Sequence, residues 1–259
     1  MAVRVLILRA PGINRDEDAV AAIELAGGVA ERVHVNRLVE GSVRLRDYAM
    51  LVIPGGFSYG DHLGAGKLLA VDIAHRLGEQ IRDFVTDGRP VIGICNGFQV
   101  LVKSGVLPGV EPPQSGVEEP LATLAANAGG SFECRWVELV AEPTSCCAFT
   151  RSIERPIAVP VAHGEGRFVV RDAATLAVLK ASGQIALRYS ATSYPANPNG
   201  SDDDIAGVCN PQGNVLGLMP HPEDAILPTQ HPTWTRDAPR SEGDGLVIFR
   251  NAVRYAARD

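Results

Sequence analysis

The chain has 259 residues, a formal net charge of −6 at pH 7, 46% apolar residues and 21% charged residues. This length fits one large α/β domain or two small ones, and the ordinary composition excludes a globally disordered chain. An acidic chain without a basic block argues against nucleic-acid binding. The N-terminal apolar run is interrupted by Arg4, and no stretch approaches the roughly 18–20 apolar residues that span a bilayer. We therefore expect no membrane association and a cytoplasmic location.

The cysteines argue against a disulfide framework and against a zinc site. Their number is odd and no C-x-x-C spacing occurs among them: Cys95, Cys134, Cys146, Cys147 and Cys209. Metal sites and disulfide-rich folds both need such spacings or paired numbers. We expect no metal site, and the sequence around each cysteine must indicate which one is reactive.

Strands and helices alternate in the first half of the chain. Strands are predicted from apolar or alternating runs at 3–8, 29–35, 49–53 and 90–94. Helices are predicted between them, from Asn14 to Leu25 and at 67–87 and 97–104. Asn14, with Glu17 three residues later, predicts a helix N-cap with a capping box.

The second half is richer in strands. These are predicted at 132–140, 157–162, 185–189, 205–209 and 214–219, before a final helix at 244–257. Residues 108–131, with closely spaced Pro and Gly, are interpreted as a surface excursion with one short helix near 120–128. The order of elements predicts a single α/β domain, 1–259, with a mostly parallel central sheet and an antiparallel extension.

The segment Gly93-Ile94-Cys95-Asn96-Gly97 has the G-x-C-x-G pattern of a nucleophile elbow. A buried strand precedes Cys95 and an amphipathic helix follows it, so a sharp turn would raise the thiol above the sheet edge. The N–H groups at the helix start lower the pKa of a thiol placed there. The N–H of Asn96 would then be placed to stabilise an oxyanion. The alternative is an inert core cysteine in a small-residue turn.

His221 is the favoured proton carrier because it ends a predicted strand within Pro220-His221-Pro222-Glu223. A residue before proline is extended, which would place Glu223 on the same side of the backbone, where it could fix the ring tautomer. A salt-bridged histidine in a proline-stiffened turn is the competing interpretation. His163, between Ala162 and Gly164, is the rival base, and His62 is a weaker candidate.

Two further segments could complete the site. The glycines after the strand at 49–53, including Gly56, would let backbone N–H groups approach a ligand and supply a second oxyanion donor. Gln99 lies one helical turn beyond Cys95, so it would either line the same pocket or be exposed.

Together, the segments around Cys95 and His221 resemble the class I (triad) glutamine amidotransferases, which have a flavodoxin-like three-layer α/β sandwich. Other segments are similar to one branch, the glutaminase subunits of phosphoribosylformylglycinamidine synthase, an enzyme of de novo purine synthesis. The segments are APGINRD at 10–16, PGGFSYGD at 54–61, FECRWV at 132–137, AHGEGRF at 162–168 and NPNGS at 197–201. The likeness covers nearly the whole chain in the same order.

The resemblance implies a role for each matching residue. Cys95 would form a glutamyl thioester, His221 would act as base and acid, and Glu223 would orient it. The backbone of Gly56 and Asn96 would form the oxyanion hole. Contact with substrate glutamine would come from Gln99, His163 and Gly164.

The resemblance also implies partners. A large synthetase subunit would bind formylglycinamide ribonucleotide, ATP and Mg²⁺ and would use the ammonia, often with a small third subunit. This chain has no G-x-x-x-x-G-K-[S/T] segment, so we expect no cofactor in it.

The chain departs from the family pattern in two segments, 108–131 and 227–243, which are longer than is usual in the family. It also departs at Asp224, where an arginine commonly stands. These features concern partner docking more than chemistry, and the adjacent Cys146 and Cys147 have no assigned role. Two alternatives remain: a different α/β cysteine hydrolase, and a non-catalytic subunit that has kept the fold.

Overall fold

The computed structural model describes residues 2–109 and 120–258. Its strands are β1 Arg4–Arg9, β2 Val29–His34, β3 Met50–Ile53, β4 Val91–Ile94, β5 Ala122–Ala125, β6 Glu133–Ala141, β7 Ile157–His163, β8 Arg167–Val170, β9 Ile185–Tyr189, β10 Ile205–Cys209 and β11 Val215–Leu218. Its helices are α1 Asp16–Leu25, α2 Val35–Val39, α3 Lys67–Arg76, α4 Gly78–Thr86, α5 Asn96–Lys103, α6 Ala173–Ala181 and α7 Leu246–Ala256. The longest of these helices has 11 residues, and none in the described ranges has the length and apolarity needed to span a membrane.

Nine strands form one mixed sheet in the order β2-β1-β3-β4-β11-β10-β9-β6-β7. The first five strands in this order pair in parallel, and each later neighbour is antiparallel. Helices α1 and α7 contact each other and the β1–β3 part of the sheet, whereas α3 and α5 pack together with α5 on β4 and β11. The central strands are buried on both faces, as helix-covered parallel strands require. The predicted α/β sheet with its antiparallel extension is confirmed.

Three local predictions were wrong. The capping box at Asn14 does not form: α1 begins at Asp16 without a side-chain cap, because the N–H groups of Asn14 and Arg15 donate to the Gly55 carbonyl instead. The single helix at 67–87 is two helices, α3 and α4, separated at Leu77, whose φ of −122° is not helical.

The third error is the short helix expected near 120–128. Residues Ala122–Ala125 are strand β5, which pairs antiparallel with β8 in a separate two-stranded sheet. Its alternating burial places Ala122 and Leu124 in the core, and β5 contacts α5. The part of the predicted 108–131 excursion at 110–119 lies outside the described residues. The 227–243 segment contains a 3₁₀ turn, Pro228–Gln230. The sequence interpretation missed α2, α6 and β8.

The crossing of β4 and α5 has no room for side chains at two glycines. A Cβ on Gly97 would lie 1.9 Å from the Ile53 carbonyl oxygen, and one on Gly93 would lie 2.6 Å from the Gly97 oxygen. Real Cβ contacts do not occur at these distances, so the helix can approach β3 and β4 this closely only with glycine at both positions. This contact fixes the start of α5 directly against the sheet edge.

We expect Gly97→Ala to lower the free energy of unfolding by about 3 kcal/mol, because the new methyl group must displace packed backbone. Urea unfolding measures this change. Gly78→Ala is the matched control, since its Cβ would lie at an ordinary 3.6 Å from the Ile73 oxygen. We expect the control to change stability by less than about 1 kcal/mol. Equal effects of the two substitutions would contradict the packing argument.

Candidate active site

Cys95 stands in the turn between β4 and α5, as the nucleophile-elbow pattern predicts. Its φ of +50° and ψ of −105° are strained for a residue with a side chain. The turn is held by the Cys95 N–H, which donates to the Leu218 carbonyl at 2.8 Å. The buried thiol lies 3.6 Å from the Ala162 carbonyl oxygen, to which it donates. Cys95 therefore sits where β4, β11 and β7 end.

His221 and Glu223 meet as a buried pair. The ring Nδ1 lies 2.6 Å from Glu223 Oε1, and the His221 N–H donates to the Pro160 carbonyl at 2.8 Å. The route differs from the expected extended alternation, because Pro222 begins a 3₁₀ turn, Pro222–Ala225, that brings the carboxylate back toward the ring. The predicted contact is thus made by a turn.

Gly55 shows how near His221 lies to Cys95. A Cβ on Gly55 would be 2.9 Å from His221 Cε1 and 3.5 Å from Cys95 Cβ, so the ring and the cysteine flank the same glycine. With Nδ1–H donating to Glu223, the other ring nitrogen, Nε2, is the one left for proton exchange. This Nε2 is buried and has no formed hydrogen bond among the described residues. Catalytic hydrogen bonds are often long before substrate binds.

The electrostatics of the pair favour a charged imidazole. Burial alone would lower the pKa of His221, but the Glu223 carboxylate and the Cys95 thiolate together raise that pKa well above its usual value. An opposite charge nearby stabilises the charged form of a buried group. The arrangement therefore favours a charged His221 imidazolium beside Cys95.

Gly56, the predicted oxyanion donor, lies in the loop after β3. Gly56 pairs with Ile13 in an isolated antiparallel bridge, whose two hydrogen bonds run from the Phe57 N–H to the Gly12 carbonyl (2.9 Å) and from the Asn14 N–H to the Gly55 carbonyl (3.4 Å). The bridge therefore does not use the N–H of Gly56. The φ of Gly56 is +141°, and a Cβ there would lie 2.7 Å from the Gly12 oxygen.

The side chain of Asn96 anchors the start of α5. Its Oδ1 accepts from the Ser58 N–H at 3.1 Å, and its Nδ2 donates to Asp61 at 3.1 Å and to Gln99 Oε1 at 3.0 Å. Gln99 Nε2 in turn donates to the Glu165 carbonyl at 2.7 Å. Both ends of the Gln99 amide are thus bonded within the chain, and its contact with glutamine stays a prediction.

His163 is enclosed by two asparagines rather than exposed to a ligand. Nδ1 lies 3.1 Å from Asn127 Oδ1, and Nε2 lies 3.4 Å from Asn199 Nδ2. Burial, together with the nearby charge of His221, lowers the pKa of His163 to about 4. A neutral, caged ring is a poor proton carrier at neutral pH, so the geometry favours His221 as the base.

Gly164 lies beside His163, whereas His62 is exposed to solvent. The Gly164 carbonyl accepts from the Asn127 N–H at 2.9 Å, which places the residue beside the His163 cage. His62 is exposed and lies in the loop after β3. Substrate contacts by His163 and Gly164 remain predictions.

The sequence interpretation missed the residues that support the site: Asp61, Asn127, Tyr189 and Asn199. Asn199 donates to the Tyr189 hydroxyl at 3.0 Å and to the Gly166 carbonyl at 2.8 Å. Burial raises the pKa of Tyr189, and negative charge on the nearby Cys95 raises it further. Of these four residues, only Asp61 and Asn199 lie in segments that carry the family resemblance. Sequence spacing alone indicates no partner for any of the four.

Comparison with known proteins gives consistent matches over the chain. Residues 2–256 match the family model of the CobB/CobQ-like glutamine amidotransferase domain. The phosphoribosylformylglycinamidine synthase subunit PurQ of Treponema denticola is 49% identical over 240 residues, covering 86% of this chain and 88% of that protein. The subunit PurQ of Dehalococcoides mccartyi is 45% identical, with 98% of each chain covered.

Solved structures agree. The structure of PurLQS from Thermotoga maritima matches with a TM-score of 0.76 and 33% identity, covering 98% of this chain and 99% of that one. A putative GMP synthase subunit from Thermoplasma acidophilum, 14% identical with a TM-score of 0.61, shares the fold. The chain therefore belongs to the glutamine amidotransferase family and, within it, to the PurQ subunits of phosphoribosylformylglycinamidine synthase.

Proposed function

We propose that this chain hydrolyses L-glutamine to glutamate and ammonia with Cys95 as nucleophile, His221 as proton carrier and Glu223 as its orienting acid. One observation carries the proposal: the elbow places Cys95 beside a buried His221–Glu223 pair whose hydrogen bond measures 2.6 Å. A nucleophile, a base beside it and an acid that orients the base are the three elements of a catalytic triad.

The first half of the reaction forms a thioester. The Cys95 thiolate attacks the side-chain amide carbon of glutamine, and the carbonyl oxygen becomes an oxyanion. The N–H groups of Gly56 and Asn96 stabilise that oxyanion. The imidazolium of His221 gives its Nε2 proton to the departing nitrogen, ammonia leaves, and a γ-glutamyl thioester remains on Cys95.

The second half regenerates the thiolate. Neutral His221 takes a proton from a water molecule, whose oxygen attacks the thioester carbon. Glutamate leaves, the thiolate returns, and the proton stays on His221, where the Glu223 carboxylate stabilises the positive charge. The sum is glutamine plus water giving glutamate plus ammonia.

The ammonia is used by a separate synthetase subunit. That subunit converts formylglycinamide ribonucleotide to formylglycinamidine ribonucleotide with ATP, in purine biosynthesis. The solved relative from Thermotoga maritima is PurLQS, which supports association of this chain with other subunits of the enzyme. ATP and Mg²⁺ belong to the synthetase, and a small third subunit completes the assembly.

We expect Cys95→Ala, assayed with the synthetase partner, to lower glutamate release from glutamine by at least about 1,000-fold, because no thioester can form. Formation of product from free ammonia should persist. Cys134→Ala, which alters an exposed cysteine, is the matched control and should retain glutamine-dependent activity. A wild-type complex that makes product from ammonia but releases no glutamate from glutamine would contradict the proposal and favour a non-catalytic subunit.

We expect Glu223→Gln to lower the turnover number by about 100-fold or more, since the ring loses its orienting acid. The carboxylate raises the pKa of His221, so its removal should let the imidazolium lose its proton at lower pH. The basic limb of the kcat/KM profile should therefore move to lower pH. Glu138→Gln, at an exposed position of β6, serves as control. An unchanged basic limb would refute the role given to Glu223.

A further inference from the structure

Three of the five cysteines converge away from the active site, at the turn between β10 and β11. Cys146 Sγ and Cys209 Sγ lie 3.6 Å apart, and the Cys209 thiol also interacts with that of Cys147. The β10–β11 turn precedes β11, so this cluster lies at the sheet edge where the parallel strands begin. Cys95 lies at the opposite edge, where β4 ends. The triad does not use any of these three thiols.

Backbone hydrogen bonds hold Cys146 and Cys209 next to each other. The Cys146 N–H donates to the Gly183 carbonyl at 2.9 Å, and the Cys209 N–H donates to the Gln184 carbonyl at 2.8 Å. Both cysteines are therefore tied to the same short segment that precedes β9. A pair fixed in this way keeps its two sulfur atoms at a high effective concentration.

Solvent access differs between the three thiols. Cys146 is partly exposed, whereas Cys147 and Cys209 are buried. The hydrogen bond to Cys147 and burial raise the pKa of Cys209, so Cys209 is a poor first nucleophile. Since the thiolate is the reactive form and must meet its partner, only Cys146 can start a reaction with a molecule from solution.

We propose that Cys146 and Cys209 form a dithiol site that exchanges with small-molecule disulfides. The Cys146 thiolate attacks one sulfur of the disulfide, the S–S bond of that molecule breaks, and one thiolate leaves. Cys209 then gives its proton to the small thiolate that has just left, and its sulfur attacks Cys146 Sγ. The bond between Cys146 and the remaining half of the small molecule breaks, and that half leaves as the second small thiol. Two protein thiols become one protein disulfide, and the small disulfide is reduced to two thiols.

The geometry requires little movement for this bond. The two sulfur atoms must close from 3.6 Å to about 2.0 Å. The bond would join residues 63 positions apart in the chain. A cross-link over such a loop restricts the unfolded chain, so the oxidised protein should unfold at higher temperature.

The test uses the full-length chain with Cys95→Ala and Cys134→Ser, which leaves only the three clustered thiols. This test chain is incubated with oxidised glutathione, unfolded in the presence of an alkylating reagent, and analysed by intact mass and peptide mapping. We expect two of its three thiols to be lost, no glutathione to be retained, and one disulfide to join Cys146 to Cys209. Dithiothreitol should restore all three thiols and reverse the rise in the thermal midpoint.

Two further variants of the test chain separate the roles of the thiols. With Cys147→Ala, the same disulfide should form. With Cys209→Ser, glutathione should stay on Cys146, because no second thiol can displace it. The proposal is overturned if all three thiols of the test chain remain open to alkylation, if glutathione stays on Cys146 while Cys209 is present, or if the disulfide includes Cys147.

Discussion

The close crossing of β4 and α5 is the constraint on which the site depends. Gly93 and Gly97 remove the side chains that would separate helix from sheet, and the chain turns between them through Cys95 at a positive φ. This strained turn directs the thiol toward the ends of β7 and β11, which bring Ala162 and His221 to it. Strain at one residue is tolerated because the surrounding packing over-determines its conformation.

Burial then sets the chemistry. Cys95, His221 and Glu223 are all buried, and in such surroundings charges stabilise one another more strongly than in water. The Glu223 carboxylate and the Cys95 thiolate raise the pKa of His221, whereas the Asn127 and Asn199 cage encloses His163, whose burial keeps it neutral. The pKa values of these two neighbouring histidines are thus shifted in opposite directions, which favours His221 over His163 as the proton carrier.

The sequence predicted what depends on local pattern. Buried apolar runs gave the parallel strands, and the Gly93–Gly97 spacing gave the elbow, because each reflects a steric requirement of nearby residues. The capping box at Asn14 failed since Gly55, distant in sequence, takes the N–H groups of that turn. The helix predicted where β5 lies was wrong for the same kind of reason, because the partner strand β8 is more than forty residues away in the sequence. The contacts of Asn96 with Asp61 and of Asn199 with Tyr189 are tertiary, and no spacing encodes them.

The central claim is that Cys95 is the thiol that meets the side chain of bound glutamine. A chloroketone analogue of glutamine tests it, because its reactive carbon replaces the amide carbon and alkylates a thiolate placed there. The account expects one label per chain, mapped to Cys95, with labelling slowed by glutamine. Labelling spread over Cys134 and the other cysteines, without protection by glutamine, would contradict it.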